Sequence, residues 1–256
     1  MFYSLVVLAH ILADFSFQPD FIAKKKQDEK KYLLLHLVIV FIIMFILTFL
    51  YVSWKQFFIV ISLTIIHGLI DKLKITFLNS SIYIKYNSPL NLEIFLVDQV
   101  LHIGSIIIFI FLFQPVQLNF VFYRLSELLP LSNFDVIFDL PELLIIGLAV
   151  IVFNFKGSTI IVRSVLERYK SNTGKSGDKG EAIGNLERLL VISFVILGSY
   201  SLVGLMFTAK SLIRFKDVSS REEEDFVEYY LIGSFISIFL GVISGMLIKF
   251  LGGAIY

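Results

Sequence analysis

The sequence predicts an all-α, polytopic helical membrane protein with about seven transmembrane helices, within a range of six to eight. Three observations predict it. The 256-residue chain is 57% hydrophobic with a mean hydropathy of +0.85, above the roughly 45–50% apolar share of soluble domains. Several runs reach the ~20 apolar residues needed to cross a bilayer. Inside a bilayer such runs must be helical, because no water is present to satisfy their backbone groups.

In chain order, span 1 covers about residues 2–17 and ends at Gln18-Pro19, since the residue before a proline disfavours helix. The opening MFYSLVVLAHILADF lacks a basic n-region and carries Asp14, so it reads as a retained span and not a cleaved signal peptide. A lysine-rich loop follows, with Lys24, Lys25, Lys26, Lys30 and Lys31. Span 2 runs over about 32–52 and span 3 over about 57–70. Residues 72–91 form a polar loop with Lys72, Lys74 and Lys85, closed by the turn signal Asn87-Ser88-Pro89. Span 4 is about 92–113.

A semi-apolar outer loop follows over 114–141, punctuated by Pro115, Pro130 and Pro141. Span 5 is about 142–155. The basic stretch 156–188 contains SNTGKSGDKG, whose composition marks a flexible loop. Span 6 is about 189–207, continuing as helix toward Phe215. Span 7 is about 227–251, with Gly241 and Gly245 at the GxxxG spacing that permits close helix contact. The domains are therefore a four-helix unit over 1–113, the outer loop 114–141, and a three-helix unit over 142–256 with a cytoplasmic loop at 156–188.

Lys and Arg counts orient the chain. With the N-terminus outside, the loops 18–31, 72–91 and 156–188 hold 15 basic residues on the cytoplasmic side, and the outer segments hold 6. Lys210, Arg214, Lys216 and Arg221 fall on the wrong side of this bias. The expected location is the inner membrane.

Seven ionisable side chains sit inside apolar stretches of the first four spans. They are His10 and Asp14, His36, His67 and Asp71, and Asp98 and His102. The four histidines are all that the chain has. His10–Asp14, His67–Asp71 and Asp98–His102 are i, i+4 pairs, so each pair projects from one helix face. Ionisable groups in hydrocarbon are costly and mark function. In the orientation above all seven fall in one layer near the cytoplasmic side, where four helices can close around a single cavity.

Cysteine is absent, so a metal would have N and O ligands, and imidazole with carboxylate suits Zn, Mn, Fe or Ni. The expected cofactor is one or two divalent ions, Zn first, with Mn or Fe as alternatives. The expected ligands are His10, Asp14, His67, Asp71, Asp98 and His102. His36 is a ligand or a general base. Gln18, at i+8 from His10, and Gln99, beside Asp98, could donate to a substrate oxygen. A single imidazole such as His36 could equally be an interhelical hydrogen-bond partner, and the whole set a structural polar cluster.

In the C-terminal half, Lys210 and Arg214 could bind an anionic headgroup, or snorkel to the interface and pair with Glu228. Glu187 to Arg214 is 27 residues, about 40 Å if helical, so these are not one site on one straight helix. Glu187 and Arg188 could cap the metal cavity. Gly174-Lys175-Ser176 matches the end of a phosphate-binding loop, but position 169 is Tyr where that motif needs Gly. No basic–aromatic module points to nucleic acid.

The pattern H-x3-D, H, H-x3-D and D-Q-x2-H resembles a widespread bacterial integral-membrane family of unknown function. The stretches GEAIGNLERLL, GLMFTAKSLIRF and EYYLIGSFIS look like the C-terminal half of its longer members. The first half is also similar, more loosely, to inner-membrane proteins described as metal-dependent hydrolases, which place H-x3-D pairs in apolar helices. That resemblance implies a metal-dependent hydrolase and no particular substrate; a cytoplasm-facing metal site at headgroup depth suits a membrane-associated phosphoester or similar lipid-linked substrate. The rival readings are a divalent-cation or proton transporter, and a non-catalytic scaffold or sensor. The oligomeric state is open, a homo-oligomer included.

Overall fold

The computed structural model describes residues 1–80, 91–113, 116–117, 119, 142–167, 178–219 and 224–255. Among these, every regular element is helical. Four helical stretches are long and apolar enough to cross a membrane: Lys30–Leu47, Leu92–Leu112, Glu142–Leu166 and Tyr229–Gly252. Phe2–Ser16 is apolar but shorter. The expected loops at 81–90, 120–141 and 168–177 lie outside the described residues.

The chain forms two compact units, Met1–Ala149 and Val150–Tyr256. In the first, α1 (Phe2–Ile11) runs into a π-helical turn over Leu12–Ser16. A short α2 (Asp20–Lys25) occupies part of the expected lysine loop. Then come α3 (Lys30–Leu47), α4 (Trp54–Leu78) and α5 (Asn91–Leu112). Ser53 starts α4 as an N-cap, its hydroxyl accepting from the Gln56 N–H at 3.1 Å, which satisfies one orphan donor of the first turn. The helix continues through Lys72 and Lys74 to Leu78, so those lysines stand on a helix and not in a loop.

Helices α1, α3, α4 and α5 close a ring, α1 on α3, α3 on α4, α4 on α5 and α5 on α1. One end of the ring is filled by apolar side chains that include Phe2 and Val6, Val40 and Met44, Ile59 and Leu63, and Ile106 and Phe109. Helices α3 and α4 meet closely at Gly68, where a Cβ would lie 2.7 Å from Leu37 Cδ1.

The next helix, α6 (Glu142–Leu166), begins in the first unit and ends in the second. The boundary between units therefore falls inside it at 149/150, not ahead of it, and residues 156–166 are helical where a loop was expected. The second unit continues with α7 (Asp178–Ile196), α8 (Tyr200–Ser219) and α9 (Glu224–Ile255).

A straight span over 189–207 does not form. Gly198 adopts a left-handed φ of 73°. Its N–H reaches Val195 O at 3.0 Å, and the Ser199 N–H reaches Phe194 O at 2.8 Å. These are the paired bonds of a Schellman terminus, which glycine permits because it has no Cβ. The chain then turns back as α8. Helices α7 and α9 pack in parallel at the GxxxG. A Cβ on Gly241 would stand 3.0 Å from Val191 Cγ1, and one on Gly245 2.7 Å from Val195 Cβ. The close contact expected of this spacing is present.

Candidate metal centre

The seven His and Asp residues of the apolar stretches come together at the end of the four-helix ring opposite the apolar fill. Asp14 is carried by the π turn, whose i→i+5 bond runs from the Phe17 N–H to Leu12 O at 2.9 Å. Single π turns within helices frequently occur at functional sites, and they re-aim the side chains they carry. Helix ends at Ser16, so Gln18 does not continue the His10–Asp14 face; it is buried two residues beyond the turn.

Four atoms form the centre. His36 Nε2 and His67 Nε2 are 3.0 Å apart. Asp14 Oδ1 lies 3.4 Å from the first and 3.5 Å from the second. Asp71 Oδ2 lies 3.6 and 3.8 Å from the same two nitrogens. Ligand atoms ~2.0–2.1 Å from a tetrahedral ion are about 3.3 Å from one another. Two imidazole nitrogens and two carboxylate oxygens thus stand at close to coordinating separations. Asp14 Oδ1 is buried and makes no hydrogen bond of ordinary geometry; its nearest polar neighbours are the two nitrogens.

His102 and His10 flank this group. The His102 ring lies 4.2 Å from that of His67 and stacks on His10 at 5.0 Å. His102 Nδ1 is 2.8 Å from the Asp98 backbone carbonyl. A carbonyl only accepts, so Nδ1 carries the proton and Nε2 keeps its lone pair. This is how a backbone acceptor fixes the tautomer of a metal-binding imidazole. His102 Nε2, His10 Nε2 and Asp98 Oδ1 are buried without a hydrogen bond. His10 Nδ1 stands 3.9 Å from Asp14 Oδ2. Three overlapping sets hold ligand atoms within 4.8 Å of one another: His10, Asp14 and His67; His36, His67 and Asp71; and Asp71, Asp98 and His102. Gln99 Nε2 donates to Asp98 Oδ2 at 3.4 Å.

Two residues that the sequence reading left in loops belong to this cluster. Lys26 Nζ lies 2.7 Å from Asp71 Oδ2, and Lys74 Nζ lies 2.8 Å from Asp98 Oδ2. Lys74 is three residues beyond Asp71 on α4, a spacing that places both on one helix face. This was the available signal for Lys74. Lys26 had none, because its position depends on how α2 folds back.

The C-terminal candidates divide. Lys210 Nζ meets Glu187 Oε2 at 2.5 Å, so it pairs with Glu187, which the straight-span reading placed some 35 Å away. Arg188 is 3% exposed and donates to Asn154 O at 3.2 Å, Ser237 Oγ at 3.0 Å and Thr159 Oγ1 at 2.8 Å, and also to Asn185 Oδ1. It knits α6, α7 and α9 together within the second unit. The side chains of Arg214 and Glu228 lie outside the described residues.

A helical ring with His and Asp gathered at one end defines a class: multi-helix proteins with a buried N/O donor cluster. The chain belongs to the family described as protein of unknown function (DUF3307), whose model matches residues 2–129. All seven cluster residues, Lys26 and Lys74 lie within that match. No curated protein and no solved structure matches the chain.

Proposed function

We propose that the protein is a membrane-embedded, metal-dependent hydrolase acting on a membrane-associated phosphoester or similar lipid-linked substrate. The observation that carries the reading is the group of His36 Nε2, His67 Nε2, Asp14 Oδ1 and Asp71 Oδ2, with five mutual distances between 3.0 and 3.8 Å. These four residues would hold a divalent ion, Zn first and Mn or Fe as alternatives. His10, Asp98 and His102 would hold a second ion or orient the first set. When bound, such an ion polarises a phosphoryl oxygen and acidifies water. His36 then serves as ligand and not as base; with one ion bound, the Nε2 atoms of His10 and His102, buried without hydrogen bonds, are the nitrogens that could take a proton.

The expected setting is the inner membrane, the N-terminus outside and the cluster facing the cytoplasm, with spans beyond the four clear ones drawn from α1, α4 and the α7–α8 pair. A shallow surface groove of about 210 Å³ between α3 and α4 is lined by Leu37, Val38, Phe41, Ile61, Thr64 and Ile65, on the stretches of chain next to His36 and His67. It suits an acyl or polyprenyl chain attached to the substrate. Beyond the cluster the ring is filled mostly by apolar side chains, with a buried polar pair, Gln56 donating to Thr48 at 3.0 Å, and no acidic residue among the described buried ones there; this supports hydrolysis ahead of transport of an ion.

The test is metal content by mass spectrometry on purified protein, followed by a panel of lipid phosphates. One or two equivalents in the wild type, lost in Asp14→Ala/His67→Ala, with turnover of at least one lipid phosphate, supports the reading. No metal after reloading, or metal without turnover of any panel member, defeats it.

A further inference from the structure

We infer that Lys26 and Lys74 are the anion-binding residues of this centre, and that the group they bind is a phosphate-class anion. The inference rests on the hydrolase reading and specifies its substrate contact. Each ammonium group is within 2.8 Å of a carboxylate of the cluster. Lys26 is 10% exposed and Lys74 26%, against 12% for Asp14 and 5% or less for Asp71, Asp98 and the four imidazoles. A ligand arriving from outside the ring therefore meets the ammonium groups before the imidazoles.

Charge makes the same point. Asp14, Asp71 and Asp98 set three negative charges against two ammonium groups, with the imidazoles neutral as metal binding requires. One divalent ion turns the net charge from −1 to +1, and a second makes it +3. A net cation among apolar helices is costly unless an anion neutralises it. A purely ion-holding site would gain nothing from two ammonium groups on its own ligands, because they compete with the metal for Asp71 and Asp98. Their presence is accounted for if the metal takes the carboxylate oxygens and the freed ammonium groups take the oxygens of an incoming phosphate, forming charge-assisted hydrogen bonds.

The experiment uses full-length, metal-loaded protein in detergent and two readouts: metal content by mass spectrometry and inorganic phosphate affinity by calorimetry. Wild type, Lys26→Gln/Lys74→Gln and the conservative Lys26→Arg/Lys74→Arg are compared. The expected result is unchanged or increased metal content in the Gln variant, with phosphate affinity at least tenfold weaker and restored by Arg. Retained metal with phosphate affinity within twofold of wild type overturns the inference and leaves the metal reading standing. Wild type that takes up no metal defeats the metal reading and the inference with it. Should the Gln variant fail to fold, metal-loaded wild type that binds no phosphate overturns the inference directly. Competition by phosphatidic acid in mixed micelles separates the sources. Displacement of phosphate at tenfold lower concentration identifies a lipid headgroup, and equal or weaker displacement a free phosphate; either result supports the anion site.

Discussion

His36 Nε2 and His67 Nε2 stand 3.0 Å apart although 31 residues separate them in the chain. Each also stands within 3.8 Å of Asp14 and Asp71. Removing either imidazole takes away a shared corner of the group. His67→Ala is expected to lower metal affinity at least tenfold, read by metal-binding calorimetry. Affinity unchanged in both His36→Ala and His67→Ala would place any bound metal elsewhere.

The two imidazoles meet because α3 and α4 approach closely at Gly68. Gly68→Val puts branched carbon where Leu37 Cδ1 already lies 2.7 Å from the ideal Cβ position. It is expected to separate the helices and weaken metal binding severalfold while the circular dichroism of the helices persists. Gly68→Ala should cost less, because the Leu37 methyl group can rotate aside. Equal behaviour of Val and wild type in metal binding would contradict this account.

Gly245 packs against Val195 Cβ and lies 3.1 Å, at its ideal Cβ position, from the backbone oxygen of Ile192. A backbone atom cannot turn away as a side-chain terminus can. Gly245→Val is therefore expected to destabilise the protein by about 1–3 kcal/mol, seen as a lowered Tm in detergent. No change in Tm would mean that α7 and α9 do not rely on this contact.

Arg188, on α7, serves neutral oxygens on two neighbouring helices, α6 and α9. Arg188→Leu strips donors from Asn154, Thr159 and Ser237 and is expected to cost about 2–4 kcal/mol. Arg188→Lys should recover only part, since one ammonium group cannot reproduce the planar fork. The comparison is a pair of thermal unfolding curves, and a Leu variant as stable as wild type would refute it.

The turn at Gly198 returns α8 along α7, and Lys210 meets Glu187 at the middle of that helix. The chain has no cysteine, so single-cysteine variants give an unambiguous test in vesicles. Gly180→Cys and Ala209→Cys should both react with a membrane-impermeant thiol reagent added from the same side. Labelling from opposite sides would restore the straight span.

Much of the centre was legible from spacing alone. His10–Asp14, His67–Asp71 and Asp98–His102 each had to share a helix face, and their apolar neighbours marked those faces as buried. The close GxxxG contact was legible for the same reason: the signal and its partner surface are both helical. The lysines were not. Lys26 and Lys74 sit in polar stretches, where the plain expectation is solvation; the spacing from Asp71 marked the face of Lys74, but only the folded chain shows Lys26 on Asp71 and Lys74 on Asp98. Gly198 was hidden differently. The run VISFVILGSYSLVGLMF is apolar throughout, so hydropathy reads it as one span; a lone glycine within an apolar run can be tolerated inside a helix, and the Schellman bonds that stop this one are invisible in composition.

In the membrane setting proposed above, that turn would also change what must be threaded through a bilayer during insertion. A straight sixth span would oblige the cell to carry across every charged residue from Lys210 to Asp225, nine in all. With the chain doubled back at Gly198, an inserting α7–α8 pair would lead with Leu197-Gly198-Ser199, which bears no charge. Lys210, Arg214, Lys216 and Arg221 would then stay with the basic segment that precedes α7, as the charge rule asks.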